Sequence, residues 1–336
     1  MYTDGRWELG WKPFIQPAPP SGQTMRVLVI GGAGFIGSHV VDSLLAAKHT
    51  VAVVDDLSSG RSDNVDPSAQ LFVCDITDAD STLYAVAEFK PDAIYHFAAQ
   101  VSVPVSFENP QLDAAVNILG LINVLSAARA LCTPPRLIFA SSGGAVYGDA
   151  LELPCTELTK PNPATPYGIA KLAGENYVEL FGRTYGGAYV TLRFANVFGP
   201  RQGTSKETGV CAVFARQAVA NEPLTVWGDG SQTRDYVFVS DIVAASLAAL
   251  TLGTGEIVNL GSGIETSTRD LARMTLEIAG KPGEVVYGPG RAGDVARACL
   301  DSRKAAEVLG WRARVDIESG LAETIRWYRE ARSLLV

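Results

Sequence analysis

The sequence predicts an α/β fold: a doubly wound parallel sheet followed by a smaller mixed α/β lobe. Three observations carry that expectation. An apolar run from Val27 to Ile30 stops at a glycine cluster, Gly31 to Gly37, and a helical pattern starts at once. Strand-like and helix-like segments then alternate in strict turn as far as Phe194. Beyond Asn196 the rhythm gives way to longer loops and shorter elements. Alternation of the first kind implies parallel strands, because right-handed crossovers lay the helices on both faces of the sheet.

Taken in order, strands are expected at Arg26–Ile30, Val51–Val54, Leu71–Cys74, Ala93–Phe97, Arg136–Ala140 and Tyr189–Phe194, each a short apolar run. Helices are expected between them at Phe35–Ala47, Ser81–Phe89, Leu112–Leu131 and Tyr167–Tyr185, where apolar residues recur at helical spacing. The result is a Rossmann-type domain over residues 25–195. Residues 196–336 form the second lobe, with a helix at Val210–Ala220, strands at Leu224–Val226 and Ile257–Leu260, and helices at Thr268–Ala279, Ser302–Leu309 and Glu318–Arg332. Part of 236–260 is expected to return to the first domain. Residues 1–24, interrupted by Pro13, Pro17, Pro19 and Pro20, read as an irregular N-terminal extension.

Bulk properties exclude several classes. A chain of 336 residues with 47% apolar content can bury a large core, and its net charge of −8 opposes a nucleic-acid partner. Five scattered cysteines without a C-x-x-C pair fit reduced thiols in a cytoplasmic protein. With three histidines, little material remains for a metal centre, and none is expected. No apolar run is read as reaching the roughly 18 residues of a membrane span.

The glycine cluster is the first functional signal. Gly31 can take φ > 0, Gly34 carries no Cβ to block a pyrophosphate, and Gly37 lets helix and strand pack closely; Phe35 and Ile36 then open the helix whose free N–H groups face the anion. Asp55 ends the second strand 18 residues beyond Gly37, where a carboxylate accepts hydrogen bonds from ribose hydroxyls and repels a 2′-phosphate. NAD is therefore favoured over NADP, and Arg61 nearby reads as a solvated charge. Asp75, after the third strand, is placed to reach the adenine amine. His96 to Gln100 ends the fourth strand in small residues that admit a dinucleotide, and His96 itself reads as a packed strand-end residue.

The second signal is Tyr167 and Lys171, four apart in a helical segment and so on one face. An ammonium beside a phenol, with a nicotinamide cation nearby, lowers the phenol's pKa from about 10 and lets it act as a base.

With these motifs in place, the chain from Met25 onward resembles the extended short-chain dehydrogenase/reductase family, most closely its nucleotide-sugar 4-epimerases of the UDP-galactose and UDP-glucuronate type. The resemblance rests on Gly31–Gly37, Val54–Gly60, His96–Gln100, Asn117, Ser141–Tyr147, Tyr167–Lys171, Leu192–Arg201, Trp227–Gly230, Arg234–Tyr236 and Arg291–Asp294. It implies a tightly bound NAD held by Gly31, Gly34, Phe35, Ile36, Gly37, Asp55, Asp56, Ser59, Gly60, Asp75, Ile76, Phe97, Ala98, Ala99, Gln100, Asn117, Tyr167 and Lys171. It implies a UDP-sugar held by Ser102, Ser142, Gly143, Asn196, Thr225, Trp227, Arg234, Arg291 and Asp294. Tyr167 would serve as acid and base at the sugar 4-hydroxyl, passing through a 4-keto sugar, and the helices Leu112–Leu131 and Tyr167–Tyr185 would pair across a twofold axis in a homodimer.

The sequence departs from that family's pattern at one position of consequence. A serine or threonine is expected four residues before Tyr147, where this chain has Gly143, so the supporting hydroxyl comes from Ser142, Ser141, water or nowhere, with Ser142 the preferred candidate. Gly144 and Ala145 stand where sugar 4,6-dehydratases carry an aspartate and a glutamate, and Ala145 where a decarboxylase carries glutamate. That leaves oxidation and reduction at C4 as the expected chemistry. A net NAD-dependent oxidoreductase of the same fold and a non-catalytic sugar-nucleotide sensor remain the alternatives. Lys206 is a candidate partner for a hexuronate carboxylate.

Overall fold

The computed structural model describes residues 24–203, 209–280, 283–290 and 295–333. The N-terminal extension, Lys206, Arg291 and Asp294 lie outside these ranges. Six parallel strands come first, with α-helices between all but the second and third: β1 (Arg26–Ile30), α1 (Phe35–Ala46), β2 (Thr50–Asp55), β3 (Gln70–Val73), α2 (Ala79–Phe89), β4 (Ala93–His96), the helical run α3 (Val103–Glu108), α4 (Pro110–Ala114) and α5 (Leu121–Arg129), then β5 (Arg136–Ser142), the short α6 (Gly143–Tyr147), α7 (Pro166–Tyr185) and β6 (Tyr189–Phe194). After β7 (Asn196–Phe198) come α8 (Val210–Ala220), β8 (Leu224–Trp227), β9 (Thr233–Phe238), α9 (Val239–Ala249), β10 (Glu256–Leu260), β11 (Glu265–Ser267), α10 (Thr268–Ala279), β12 (Val285–Gly288), α11 (Arg303–Leu309) and α12 (Ile317–Ser333).

Seven strands form one parallel sheet in the order β10-β6-β5-β4-β1-β2-β3. Strand order reverses between β1 and β4, and the crevice there opens at the carboxyl ends of the strands. Side chains alternate across β1: Leu28 and Ile30 face one layer with Phe139, Val124 and Phe181, while Val27 and Val29 face the other with Val40, Leu44 and Ile242. The second of these cores runs on without a break into Phe214, Leu271 and Leu321. The C-terminal elements are thus seated on the sheet by shared apolar burial. There β8 pairs with β12, and β9 lies between β7 and β11.

Helix ends follow local chemistry. Asp78 caps α2 by accepting from the amides of Asp80 and Ser81, and Thr165 caps α7 by accepting from the amide of Gly168 at 3.0 Å, with Pro166 in the first turn. The expected helix Leu112–Leu131 is instead α4 and α5 joined by a wide π turn, Ala115–Gly120. The extra residue in that turn aims Asn117 at the turn after β4 while Leu121, Val124 and Leu125 keep facing the sheet. Contrary to expectation, the run Pro110–Arg129 is long and apolar enough to cross a membrane by length and composition, with an 18-residue window of mean hydropathy 1.4. The run nevertheless carries Asp113 and Asn117 buried and hydrogen-bonded within the protein, as a core helix of the sheet does.

Candidate active site

Every sequence-predicted site residue among the described ones before Thr225 stands at or beyond a strand's carboxyl end, or on the helices packed against those ends. At the first, Gly31 has φ +80° and donates its amide to Val54 O at 2.8 Å. A Cβ on Gly31 would lie 2.5 Å from the amide nitrogen of Ala98, so only glycine lets the two crevice turns touch. On Gly37 a Cβ would meet Gly31 O at 2.1 Å, whereas one on Gly34 meets nothing nearer than Gly31 O at 3.3 Å. Gly34 opens α1 without a side-chain cap, and the first amide to bond back is that of Ser38, to Gly34 O. The amides of Phe35, Ile36 and Gly37 therefore have no partner within the helix, which makes an anion site of its N-terminus.

Asp55 is buried at the end of β2, where its two carboxylate oxygens accept from the amides of Ala33 (2.9 Å) and Leu57 (3.0 Å). Burial holds its pKa above the usual carboxylate range in spite of these bonds. Asp56 accepts from Ser58, Ser59 is exposed, and Gly60 lies so close to Asp55 that a Cβ would stand 2.7 Å from its Oδ1. Arg61 is exposed and paired with Asp63 at 3.1 Å. Asp75 is exposed beyond β3 and accepts from the Thr77 amide, while Ile76 is buried next to Gly120 of the π turn. The amide-lined turn and the carboxylate across from it are complementary to a dinucleotide's pyrophosphate and ribose, so the residues present fit NAD.

The turn after β4 is held from behind. The amides of Phe97 and Ala98 both bond to Ile30 O, and Asn117 accepts from the Gln100 amide (3.1 Å) while donating to Gln100 O (2.9 Å) and to Asp113 (3.0 Å). Gln100 in turn donates to Asp113 at 2.8 Å. Both N–H groups of Asn117 are consumed, so it acts mainly by fixing the backbone of Ala99 and Gln100. Ser102 is buried and caps α3, accepting from Val105 at 3.3 Å. His96 is buried and stacked on Phe139 at 5.9 Å, and burial drives its pKa down to about 3, so it stays neutral.

Ser142 closes β5, and Tyr167 and Lys171 sit in the first turns of α7. A Cβ on Gly168 would lie 2.4 Å from Ala145 O, so glycine there lets α7 rest on the backbone of α6 beside Ser142. Contrary to the lowering expected from Lys171, burial raises the pKa of Tyr167 in the protein alone; a hydrogen bond with Ser142 opposes the rise, and the charge of Asp113 adds to it. Lys171 is buried, donates to Ala140 O at 3.0 Å, and lies 5.8 Å from the Tyr167 ring centroid. Desolvation brings its pKa down to about 8, against the pull of Asp113 and Glu175. At Gly143, a Cβ would stand 2.6 Å from Leu300 Cδ1, and Leu300 is itself buried. An apolar side chain thus fills the space of the missing hydroxyl residue, and Ser142 is the hydroxyl that reaches the phenol.

The remaining candidates line the C-terminal lobe. Asn196 is exposed at the start of β7, Thr225 and Trp227 lie on β8 with the indole packed over Gly288, and Arg234 on β9 donates to Thr233 O at 2.9 Å. Asp235, buried beside Arg234, accepts from Ser262, Gly263 and Leu300, which ties β9 to the strand segment facing Gly143. Sequence reasoning missed Asp113 and Leu300 and gave Asp235 no role beyond its place in the Arg234–Tyr236 motif, since their importance comes from contacts between distant segments.

A sequence profile described as the NAD dependent epimerase/dehydratase family matches residues 27–261, most of the chain. The chain belongs to that family. This epimerase/dehydratase-family chain is 43% identical over 311 residues to a UDP-glucose 4-epimerase of Mycolicibacterium smegmatis, a match covering 91% of this chain and 99% of that one. Among solved structures it is similar to the UDP-glucose 4-epimerase of Thermotoga maritima with UDP-glucose, at 42% identity and a TM-score of 0.89, covering 91% of this chain and 99% of that one. The Thermus thermophilus UDP-glucose 4-epimerase in complex with NAD superposes with a TM-score of 0.87 at 41% identity, with the same coverage. As an NAD-dependent enzyme of this family, the chain has the same overall fold as these proteins, built here on a seven-stranded Rossmann sheet.

Proposed function

We propose that this enzyme epimerises a UDP-sugar at C4, with Tyr167 as the acid–base group. The observation that carries the reading is the wall formed by Ser142, Tyr167 and Lys171 at the carboxyl edge of the sheet, with Gly144 and Ala145 beside it. Elimination or decarboxylation needs a further acid or base, and these two residues supply none.

NAD held in this crevice would supply the hydride acceptor and donor for C4. The chain's own residues do the rest. Tyr167 takes the proton of the 4-hydroxyl and later gives it back, while Ser142 holds the phenol by a hydrogen bond that favours its ionised form. The ammonium of Lys171, fixed on Ala140 O, places positive charge beside the phenol. Gly31 to Gly37 and Asp55 would hold the cofactor, with Asp56, Ser59, Gly60, Asp75 and Ile76 around the adenosine and Phe97 to Gln100 along the crevice. Asn196, Thr225, Trp227 and Arg234, with Arg291 and Asp294, would grip the UDP portion. A nucleotide held firmly leaves the sugar free to turn its other face to the cofactor, so binding energy remote from C4 serves the reaction.

The test is incubation of the purified protein with UDP-glucose, UDP-glucuronate and UDP-N-acetylglucosamine in turn. The expected result is the C4 epimer of at least one of them, without stoichiometric gain of NADH absorbance. Stoichiometric NADH with no epimer would instead establish a net oxidoreductase. The expected assembly is a homodimer, supported by exposed apolar residues on the α4–α5 run and α7, namely Leu112, Leu119, Ile169, Tyr177 and Leu180. A cytoplasmic setting is supported by five free cysteines, four of them buried.

A further inference from the structure

Arg193 belongs to the segment Leu192–Arg201, yet it takes no part in the chemistry described above. It is buried, as are Glu175, Ser141, Tyr147 and Asn259, and these five side chains form one connected network. Arg193 donates in a bidentate fork to Glu175, Nε to Oε1 at 2.8 Å and Nη2 to Oε2 at 2.6 Å. Its Nη1 donates to the Tyr147 hydroxyl at 2.7 Å, which donates to Asn259 Oδ1 at 2.9 Å. The Ser141 hydroxyl donates to Glu175 Oε1 at 2.5 Å.

The placement of these partners is what matters. Tyr167, Lys171 and Glu175 follow one another at four-residue spacing on one face of α7. Ser141 directly precedes Ser142 on β5, and Tyr147 ends the α6 that follows it. One carboxylate therefore ties the helix that carries the base to the strand that carries its hydroxyl partner, and one guanidinium fixes both to β6. Beyond Tyr147, Asn259 donates to Cys155 O at 3.0 Å and its amide donates to Glu157, and Cys155 pairs with the segment ending in Leu300. The network thus runs from the chemical groups toward the lobe expected to hold the nucleotide.

We infer that Arg193 and Glu175 are positioning residues that set the Tyr167–Ser142 contact by locking α7 to β5 in one register. The inference rests on the proposed epimerase reading. A buried ion pair contributes little net stability compared with apolar residues of the same size, so its presence here is explained better by the geometry it specifies. Catalysis is sensitive to displacements of about 1 Å at the reacting groups, which loss of this lock would permit.

The experiment compares the NAD-loaded parent with the double variant Arg193→Met/Glu175→Leu, which removes both charges and keeps much of the volume. Two readouts are taken: kcat and KM for the epimerised UDP-sugar, and the pH midpoint of the Tyr167 tyrosinate absorbance, obtained by difference against Tyr167→Phe. The expected result is a folded, NAD-loaded variant with kcat lowered at least tenfold, KM changed less than twofold, and the tyrosinate midpoint moved upward. Arg193→Lys, which cannot form the fork and reach Tyr147 together, is expected to remain impaired. Parent-like kcat and midpoint in the double variant would overturn the inference. Should that variant not fold, Glu175→Gln is the substitute, since it keeps the shape and loses the charge. In Glu175→Gln a kcat lowered at least tenfold with KM changed less than twofold supports the inference, and a parent-like kcat overturns it. Failure of the parent to epimerise any UDP-sugar bears on the function alone, because the midpoint is read without turnover.

Discussion

At the scale of single residues, the site works by placing groups where their charge is unwelcome. Lys171 is the plainest case. Its ammonium is buried and its pKa is lowered to about 8, below the 10.5 of the free side chain. The folded protein therefore binds fewer protons than the unfolded chain between those values, and stability rises with pH across that window. Below it, the shift corresponds to a burden of the order of 3 kcal/mol for the charged form. Lys171→Met is expected to raise the melting temperature at pH 7, by an amount that shrinks as pH climbs from 8 toward 10.5, while abolishing most turnover. Calorimetry over that pH range checks both signs. Tyr167→Phe should retain NAD and lose at least about 100-fold in kcat, the scale of acid–base catalysis, as measured by conversion of UDP-glucose. Substantial epimerisation by this variant would remove Tyr167 from its role.

The pair Gly143 and Leu300 makes a further residue-level prediction. Gly143→Ser inserts a side chain where Leu300 already stands, and overpacking of this kind costs about 1–3 kcal/mol. Leu300→Ala alone leaves a cavity, at about 2–5 kcal/mol. Combined, the two substitutions should be less destabilising than their sum, because each relieves the other. Denaturant melts of the three variants read that coupling directly, and strict additivity would mean that the two positions do not share space.

Elements are held in register by polar groups at their ends. Arg136, buried at the start of β5, donates to Ala249 O at 2.8 Å, to Leu252 O and to Thr254 Oγ1 at 2.6 Å. It thereby satisfies carbonyls at the C-terminal end of α9 that no helical amide reaches. Replacement by Met strands those carbonyls, so a loss of about 2–4 kcal/mol is expected, read as a lower denaturant midpoint with unchanged slope. The π turn is the other telling element. Its composition reads as part of one long helix, and Leu112–Leu131 was legible in the sequence as helical. The widening was not, because it answers to Gln100 and Asp113, whose proximity to Asn117 exists only after β4 and the helix have packed.

For the whole molecule, the parallel sheet and the continuous core across both lobes decide what can be built at the carboxyl edge. Exposed Leu119 and Leu180 belong to the helices expected to pair between two subunits. Leu119→Glu with Leu180→Glu should yield a monomer by sedimentation velocity, since charges in an apolar contact are left unpaired. A variant that remains a dimer would place the interface elsewhere.

By itself the sequence did not determine β7, β9, α9, β11 or β12, but it determined the order of the parallel strands as far as Phe194 and the main helices between them, the glycine turn, the carboxylate ending β2, and the tyrosine and lysine on one helical face. All of these are local: periodicity of 2 or 3.6 residues, glycines at fixed offsets, and a spacing of four each act within one or two elements. Only the tertiary structure decided that Leu300 fills the space beside Gly143, that Ser142, already the preferred candidate, is the hydroxyl in contact with the phenol, and that Asn117 spends its hydrogen bonds on the turn after β4. It alone joined Arg193 and Glu175 into the lock behind the site. Such contacts link residues 17 to 157 positions apart in the chain, and their energies depend on burial and distance, which no local pattern encodes.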